Sequence, residues 1–348
     1  MLTHTPTSGT STPPVEEKST RKGRGWRIFV GVLLTLSALL MVGYSAVSIY
    51  IAVRIMEVQQ TPPYATPASL GLQYKDITFP SRYDNVQIKG WFIPGVLPNG
   101  HLTSQRTIIM VHGNTANRAE KGTGLLNLSG DLAHQGFAVL AFDMRGAGKS
   151  PAAPRSFGLY EQRDVLGAVD FLHTGPIPYP ELGRPRAIAG WGVSLGGATL
   201  ILAAANEPAI KAIVSDSAYA DILPRLERDI PAGGPLPALF TPGGLIAAQV
   251  LYGVDYYHTR PVDVIASIAP RPILLIHGAN DNKNHTDTPP SNMYTLAAAA
   301  LTAPDANVQV WMVPGATHVQ AYHVEGSVYV DRLVAFYTAA LGPDTSGS

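Results

Sequence analysis

Gly192, Val193, Ser194, Leu195 and Gly196 place one serine between two glycines in the pattern G-x-S-x-G, inside the longer run GWGVSLGG (190–197). A serine hydroxyl is a poor nucleophile until an imidazole removes its proton, and the imidazole needs a carboxylate to fix its tautomer and stabilise its positive charge. The apolar run 187–189 before this stretch and the alanine-rich run after it predict a strand, a sharp turn and a helix. In that setting the serine is held in a strained backbone conformation, and glycines let neighbouring chain pass close to it. A helix opening at Leu195 also turns free N–H groups and a positive dipole end toward the reacting centre.

The required partners are present in the required order. PILLIHGAND (272–281) is an apolar strand ending in Asp281, and VQVWMVPGATH (308–318) is a strand followed by a turn that carries His318, 37 residues further on. Reactive groups in open parallel sheets gather at the carboxyl ends of strands, so Ser194 as nucleophile, Asp281 as acid and His318 as base are expected to meet there. Asp287, in the NKNHTDT stretch (282–288), is a second carboxylate that could serve as the acid. The loop VHGNTAN (111–117) follows the apolar run TIIMV, and the backbone amides of Asn114 and Leu195 are expected to form an oxyanion hole. His112 is expected to support that loop. The chemistry this set can perform is acyl transfer through an acyl-serine intermediate, which needs neither cofactor nor metal.

Other chemistry-bearing residues fit bland roles better. FDMRGAGKS (142–150) ends like a phosphate-binding loop, but the position that must be glycine is Asp143 and prolines follow at 151 and 154. Asp143 and Arg145 are instead expected to hold the loop by hydrogen bonds. Glu161 and Asp164 read as residues complementing a helix dipole. His285 and His323 lack the strand-end position of His318, and no H-E-x-x-H or similar metal spacing occurs.

The elements that must position these residues alternate regularly. Strands are predicted at 74–79, 86–93, 107–111, 138–142, 187–191, 212–214, 273–276 and 308–313, and helices at 119–135, 161–173, 195–206, 291–303 and 327–341. After two opening strands resembling a hairpin, each strand is a continuous apolar run, which argues for a mostly parallel eight-stranded sheet with helices on both faces. One interval breaks the rhythm. Residues 217–268, rich in proline and aromatics, are too long for a bare loop and are expected to form an inserted helical cap over the sheet.

The chain has 348 residues, 46% of them hydrophobic, with 25 basic and 25 acidic side chains and no cysteine. That suffices for one large core, offers no basic excess for nucleic acid, and excludes disulfides, thiolate metal sites and a cysteine nucleophile. Residues 1–27 are rich in small polar residues and end in the basic cluster Arg21, Lys22, Arg24 and Arg27, which predicts a disordered tail. Residues 28–53 carry no charge and as a helix would span roughly 39 Å, enough to cross a bilayer with tilt. The basic residues precede the helix, so the positive-inside rule predicts a single-pass signal anchor in the cell membrane, with a cytoplasmic N-terminus and an exported domain. Residues 54–71 then read as a linker, 72–341 as the globular domain and 342–348 as a disordered tail.

HGN at 112–114, FDMRGAGKS, GWGVSLGG, IHGAND at 276–281 and PGATH at 314–318 together resemble the α/β-hydrolases, over about residues 72–341. The likeness is to membrane-anchored serine hydrolases of the Bem46-like and serine aminopeptidase-like group. Members of that group usually reach a proline soon after the aspartate, whereas here NKNHTDT intervenes before Pro289. The resemblance implies the same triad, the same oxyanion donors, and cleavage of an ester, or else an amide or thioester, in a small-molecule or lipid-like acyl substrate. The competing expectation is a membrane-tethered, non-catalytic hydrolase-like domain that binds a lipid or protein partner.

Overall fold

A computed structural model describes residues 1–2, 9–10, 21–232, 237–281 and 288–344, with the side chains of 21 and 22 left aside. The chain forms two compact units, Met1–Ala46 and Val47–Ser348. The helix α1, Arg21–Met56, begins in the first unit and ends in the second. It is the one helix among the described residues long and apolar enough to cross a membrane. In the first unit its apolar side chains, Leu33, Leu36 and Leu40 among them, are exposed. The helix starts seven residues before the uncharged run, not after a disordered tail ending at residue 27. Arginine is a good helix former, and extending an established helix costs far less than nucleating one.

Among the described residues the second unit has ten strands: β1 Lys75–Pro80, β2 Gln87–Ile93, β3 Gly95–Val96, β4 Leu102–Thr103, β5 Arg106–Val111, β6 Ala138–Asp143, β7 Ala187–Val193, β8 Ile210–Asp216, β9 Ile273–Gly278 and β10 Val308–Val313. Eight form one sheet in the order β1-β2-β6-β5-β7-β8-β9-β10, and β3 and β4 make a separate small hairpin. The pairs β1/β2 and β2/β6 are antiparallel and the remaining pairs are parallel. Strands β5, β6 and β7 are almost wholly buried along their length, as a sheet covered on both faces requires. The sheet reverses its direction of growth between β5 and β7, which lie side by side although β6 separates them in sequence. A crevice opens at the carboxyl ends of strands at such a switch point.

The helices are α2 Leu125–His134, α3 Glu161–Thr174, α4 Leu195–Asn206, α5 Leu223–Ala232, α6 Thr241–Tyr252, α7 Pro261–Val264, α8 Ser291–Ala300, α9 Ala321–Glu325 and α10 Ser327–Leu341. One apolar cluster lies between the sheet and the side of α3, α4 and α8, and the other between the sheet and α2 and α10. The interval between β8 and β9 is helical, carrying α5, α6 and α7.

Three boundaries differ from the sequence-based expectation for local reasons. Helix α2 begins at Leu125, six residues later than predicted, because Asn117 forms a turn there. Its Oδ1 accepts from the Ala119 amide at 2.8 Å, and Gly124 takes φ 68° before the helix opens. The stretch after α1 is not a free linker. Asn117 Nδ2 donates to the Thr61 carbonyl at 2.9 Å, and Pro67 and Leu72 are buried against the domain. At the other end, residues 342–344 are tied down rather than loose, since Thr103 Oγ1 donates to Asp344 Oδ2 at 2.7 Å.

Candidate active site

Ser194 sits between β7 and α4 with φ 53° and ψ −118°, a left-side conformation costly for a residue with a Cβ. The surrounding glycines make the turn possible. A Cβ on Gly192 would lie 2.4 Å from the Gly196 carbonyl oxygen, and one on Gly196 would lie 2.2 Å from the carbonyl oxygen of Val111. Both contacts are with backbone, which cannot swing aside. The elbow is therefore pressed directly against the end of β5, and this brings the serine beside the HGN loop. The Ser194 amide is used, donating to the Asp216 carbonyl at 2.8 Å. Leu195 is the first residue of α4, so its N–H has no acceptor within the helix.

Strand register delivers the other two groups. Val193 pairs with Asp216, Asp216 with Ile276, and Gly278 with Val313, so the ends of β7, β8, β9 and β10 lie along one edge. A Cβ on Gly278 would lie 2.5 Å from the Ala316 carbonyl oxygen, so the loop carrying His318 closes tightly over the loop carrying Asp281. His318 Nε2 lies 3.0 Å from Ser194 Oγ, and His318 Nδ1 lies 2.8 Å from Asp281 Oδ2. With the carboxylate accepting at Nδ1, the proton sits there and Nε2 is free to accept from the serine hydroxyl. Asp281 is fully buried. Asp287 and His285 lie outside the described residues.

Asn114 and Leu195, the residue after Ser194, line a cleft together with His112, Gly113 and Met144. Val58 and Gln59, from the stretch just after α1, also line it. The empty space is about 350 Å³ with its open mouth included. His112 is buried, its Nδ1 donating to the Gly113 carbonyl at 2.7 Å and its Nε2 accepting from the Met144 amide at 3.0 Å. Burial holds its pKa below the usual histidine range. It is a neutral strut that ties the HGN loop to the end of β6.

FDMRGAGKS folds as a braced loop. Asp143 accepts from the Arg118 amide and guanidinium and from the Lys149 amide at 2.6–2.8 Å. A Cβ on Gly148, at φ 49°, would fall 2.1 Å from the Asp143 carboxyl, leaving no room for a phosphate. Arg145 is clamped by Asp164, Asp84 and Ser81. Glu161 and Asp164 do more than complement a helix dipole. Both are buried, Asp164 as the partner of Arg145 and Glu161 as the acceptor for the amides of Ser156 and Gly158. His323 lies away from the serine, with Nε2 3.2 Å from the Lys121 carbonyl oxygen. Among the described residues no group of three or more His, Cys, Asp or Glu could hold a metal ion.

Several side chains around the site carry no signal in sequence spacing. His277 is buried on β9, and its Nε2 lies 2.9 Å from Asp281 Oδ2 and 3.0 Å from the Thr288 carbonyl oxygen. One carboxylate oxygen therefore accepts from two imidazoles. Burial alone would lower the His277 pKa, but the bond to Asp281, the Thr288 carbonyl and the charges of Asp281 and Asp216 outweigh it and raise the value. Beneath the elbow, Trp191 Nε1 donates to Tyr329 Oη at 3.0 Å and Tyr329 donates to Asp216 Oδ2 at 2.8 Å. Ser217 Oγ donates to Asp216 Oδ1 and accepts from the Val319 amide, which pins the residue after His318. Glu120 approaches from the HGN side: a Cβ on Gly113 would lie 3.7 Å from Ser194 Cβ and 4.0 Å from Glu120 Oε2. Burial pushes its carboxyl up to about 7, against the pull of the Thr123 hydroxyl and of His318.

Known proteins agree on the architecture. A family model described as the alpha/beta hydrolase fold matches residues 106–237. The uncharacterized protein YfhR of Escherichia coli is 27% identical over 267 residues, covering 75% of this chain and 79% of that protein. The esterase Pf2001 of Pyrococcus furiosus superposes with a TM-score of 0.64 at 24% identity, over 82% of this chain and all of that one. The hypothetical protein PA2218 of Pseudomonas aeruginosa superposes with a TM-score of 0.59 at 21% identity, over 82% of this chain and 99% of that one. Strand order, switch point and these likenesses lead to one statement: the globular unit has the α/β-hydrolase fold.

Proposed function

We propose that this chain is a membrane-anchored serine hydrolase of the Bem46-like kind, cleaving an ester of a small or lipid-like acyl group through an acyl-serine intermediate. The observation that carries the reading is the continuous pair of contacts from Ser194 Oγ to His318 Nε2 at 3.0 Å and from His318 Nδ1 to Asp281 Oδ2 at 2.8 Å. The preference for an ester over an amide or thioester leans on the likeness to the Pyrococcus furiosus esterase.

In this mechanism Ser194 Oγ attacks the carbonyl carbon while its proton passes to His318 Nε2. The carbonyl oxygen becomes an oxyanion and is met by the amides of Asn114 and Leu195. Collapse of the intermediate breaks the bond to the leaving alkoxide, which takes the proton from His318 and departs as the alcohol. A water then enters, His318 removes its proton, and the resulting tetrahedral intermediate expels Ser194 and releases the acid. Asp281 stays ionised throughout and stabilises the imidazolium.

Helix α1 is the proposed anchor. The basic residues at its start keep the N-terminus in the cytoplasm, so the hydrolase unit is on the exported side. The enzymatic half is tested by hydrolysis of a series of p-nitrophenyl esters with graded acyl length. The expected result is turnover by the wild-type chain with a burst of p-nitrophenol in the first cycle, and a loss of about a thousandfold or more in Ser194→Ala. Equal rates for the two proteins would overturn the reading.

A further inference from the structure

Helix α6, TPGGLIAAQVLY, carries no charged residue on any face. Its inner side, with Gly244, Leu245 and Ala248, is buried in the domain. Its outer side presents Ile246, 56% exposed, and Val250, 77% exposed, one helical turn apart, with Leu251 beside them at 51%. The polar residue of that side, Gln249, turns its amide to Asp255 at 3.3 Å. Neighbouring α5 is different, carrying Arg225, Glu227, Arg228 and Asp229. A helix apolar on both sides belongs inside a core or against lipid, and α6 has only one side in a core.

What lies against the inner side identifies the occupant of the outer one. Residues 47–53, the last turns of the uncharged run in α1, belong to the same compact unit as α6, and Ser48, Ile51 and Ala52 are buried there. Ile51 packs directly on α6: a Cβ on Gly244 would lie 2.4 Å from Ile51 Cγ2, so the glycine makes room for it. Helix α6 therefore packs on the residues with which the uncharged run of α1 ends. We infer that α6 is a membrane-surface helix whose outer face, through Ile246, Val250 and Leu251, rests in the bilayer interface beside the point where α1 leaves the membrane. Apolar side chains on such a helix bury into the boundary between headgroups and acyl chains, and the anchor keeps them there. The inference rests on the reading of α1 as membrane-spanning. Its consequence is that the helical insertion above the catalytic edge touches lipid, so an acyl substrate can reach the site from the bilayer.

The chain contains no cysteine, so single cysteines at exposed positions can each carry one environment-sensitive fluorophore. The full chain is reconstituted into phosphatidylcholine vesicles, with and without brominated acyl chains, bearing the label at Ile246→Cys, Val250→Cys, Leu36→Cys or Asn99→Cys. Leu36 reports the anchor. Asn99 is exposed beside the β3–β4 hairpin, which packs near the start of β6, at the sheet edge opposite the catalytic loops. Expected are blue-shifted emission and loss of fluorescence with brominated lipid at 246, 250 and 36, and neither at 99. Labels at 246 and 250 that stay as unquenched as at 99, while 36 is quenched, overturn the inference and leave the anchor standing. Blue-shifted but unquenched labels there mean that protein, such as a second copy, covers the face, and this too overturns it. Equal quenching at 99 overturns it as non-specific immersion. An unquenched label at 36 overturns the anchor and the inference together.

Discussion

Glu120 is the side chain beside Ser194 whose charge changes near neutrality, with burial holding its carboxyl at about 7. When ionised it favours the imidazolium that His318 becomes during attack. The wild-type rate should therefore gain an extra rise as pH passes through about 7, where Glu120 ionises. In Glu120→Gln that extra rise should vanish, leaving the rate at pH 8 about fivefold lower than wild type and near wild type at pH 6, since one partly buried charge is worth about 1 kcal/mol. Parallel pH–rate profiles would refute this role. His277 acts on stability with the opposite pH sense. Its folded pKa is raised above its ordinary value, so its contribution is full below the ordinary histidine range and is lost as pH rises through the raised value. Denaturant titrations should show the stability gap between wild type and His277→Gln narrowing from pH 6 to pH 9, and a gap that widens would contradict the assignment. Neither residue was legible beforehand. G-x-S-x-G, the strand-end Asp281 and the strand-end His318 stand in local patterns, whereas Glu120 and His277 gain their meaning only from distant chain folded beside them.

At the scale of elements, the elbow depends on backbone meeting backbone. Gly196→Ala would set a Cβ 2.2 Å from the Val111 oxygen and 2.4 Å from the His112 oxygen. Relief requires β5 or α4 to shift, so a loss of about 3 kcal/mol in stability is expected, with displacement of the HGN loop and loss of the proposed hydrolase activity. A denaturant midpoint equal to wild type would show that the elements are less tightly held than this. Tyr329→Phe would remove a donor from buried Asp216 and an acceptor from Trp191, at a cost of about 2 kcal/mol. The strand–helix alternation was readable because parallel strands buried on both faces are unbroken apolar runs, and β5 and α4 fall within one residue of where the pattern puts them. The start of α2 was not readable, because the Asn117 turn competes with helix for the same residues. The hairpin β3–β4 was also missed, its strands being only two residues long.

For the whole molecule, the stretch that sequence composition marks as a linker belongs to the second compact unit. Prolines at 62, 63 and 67 suggest a tether, yet Val58 and Gln59 line the cleft. Composition reports how flexible a free chain would be and says nothing of the surface it lies against. The proposed orientation rests on Arg24 and Arg27 preceding the apolar run, so a reporter fused after Leu341 that is active only outside the cytoplasm is expected to be active in cells. Activity only from a cytoplasmic reporter would reverse the topology. The central claim is that Ser194 is a nucleophile activated by His318 and Asp281. Its most direct test is reaction of the purified full chain with a fluorophosphonate, read by intact mass and peptide mapping. One adduct on Ser194 in wild type and none in a folded Ser194→Ala chain is the predicted result, whereas a folded wild-type chain that takes no label, or equal labelling of both, would contradict it.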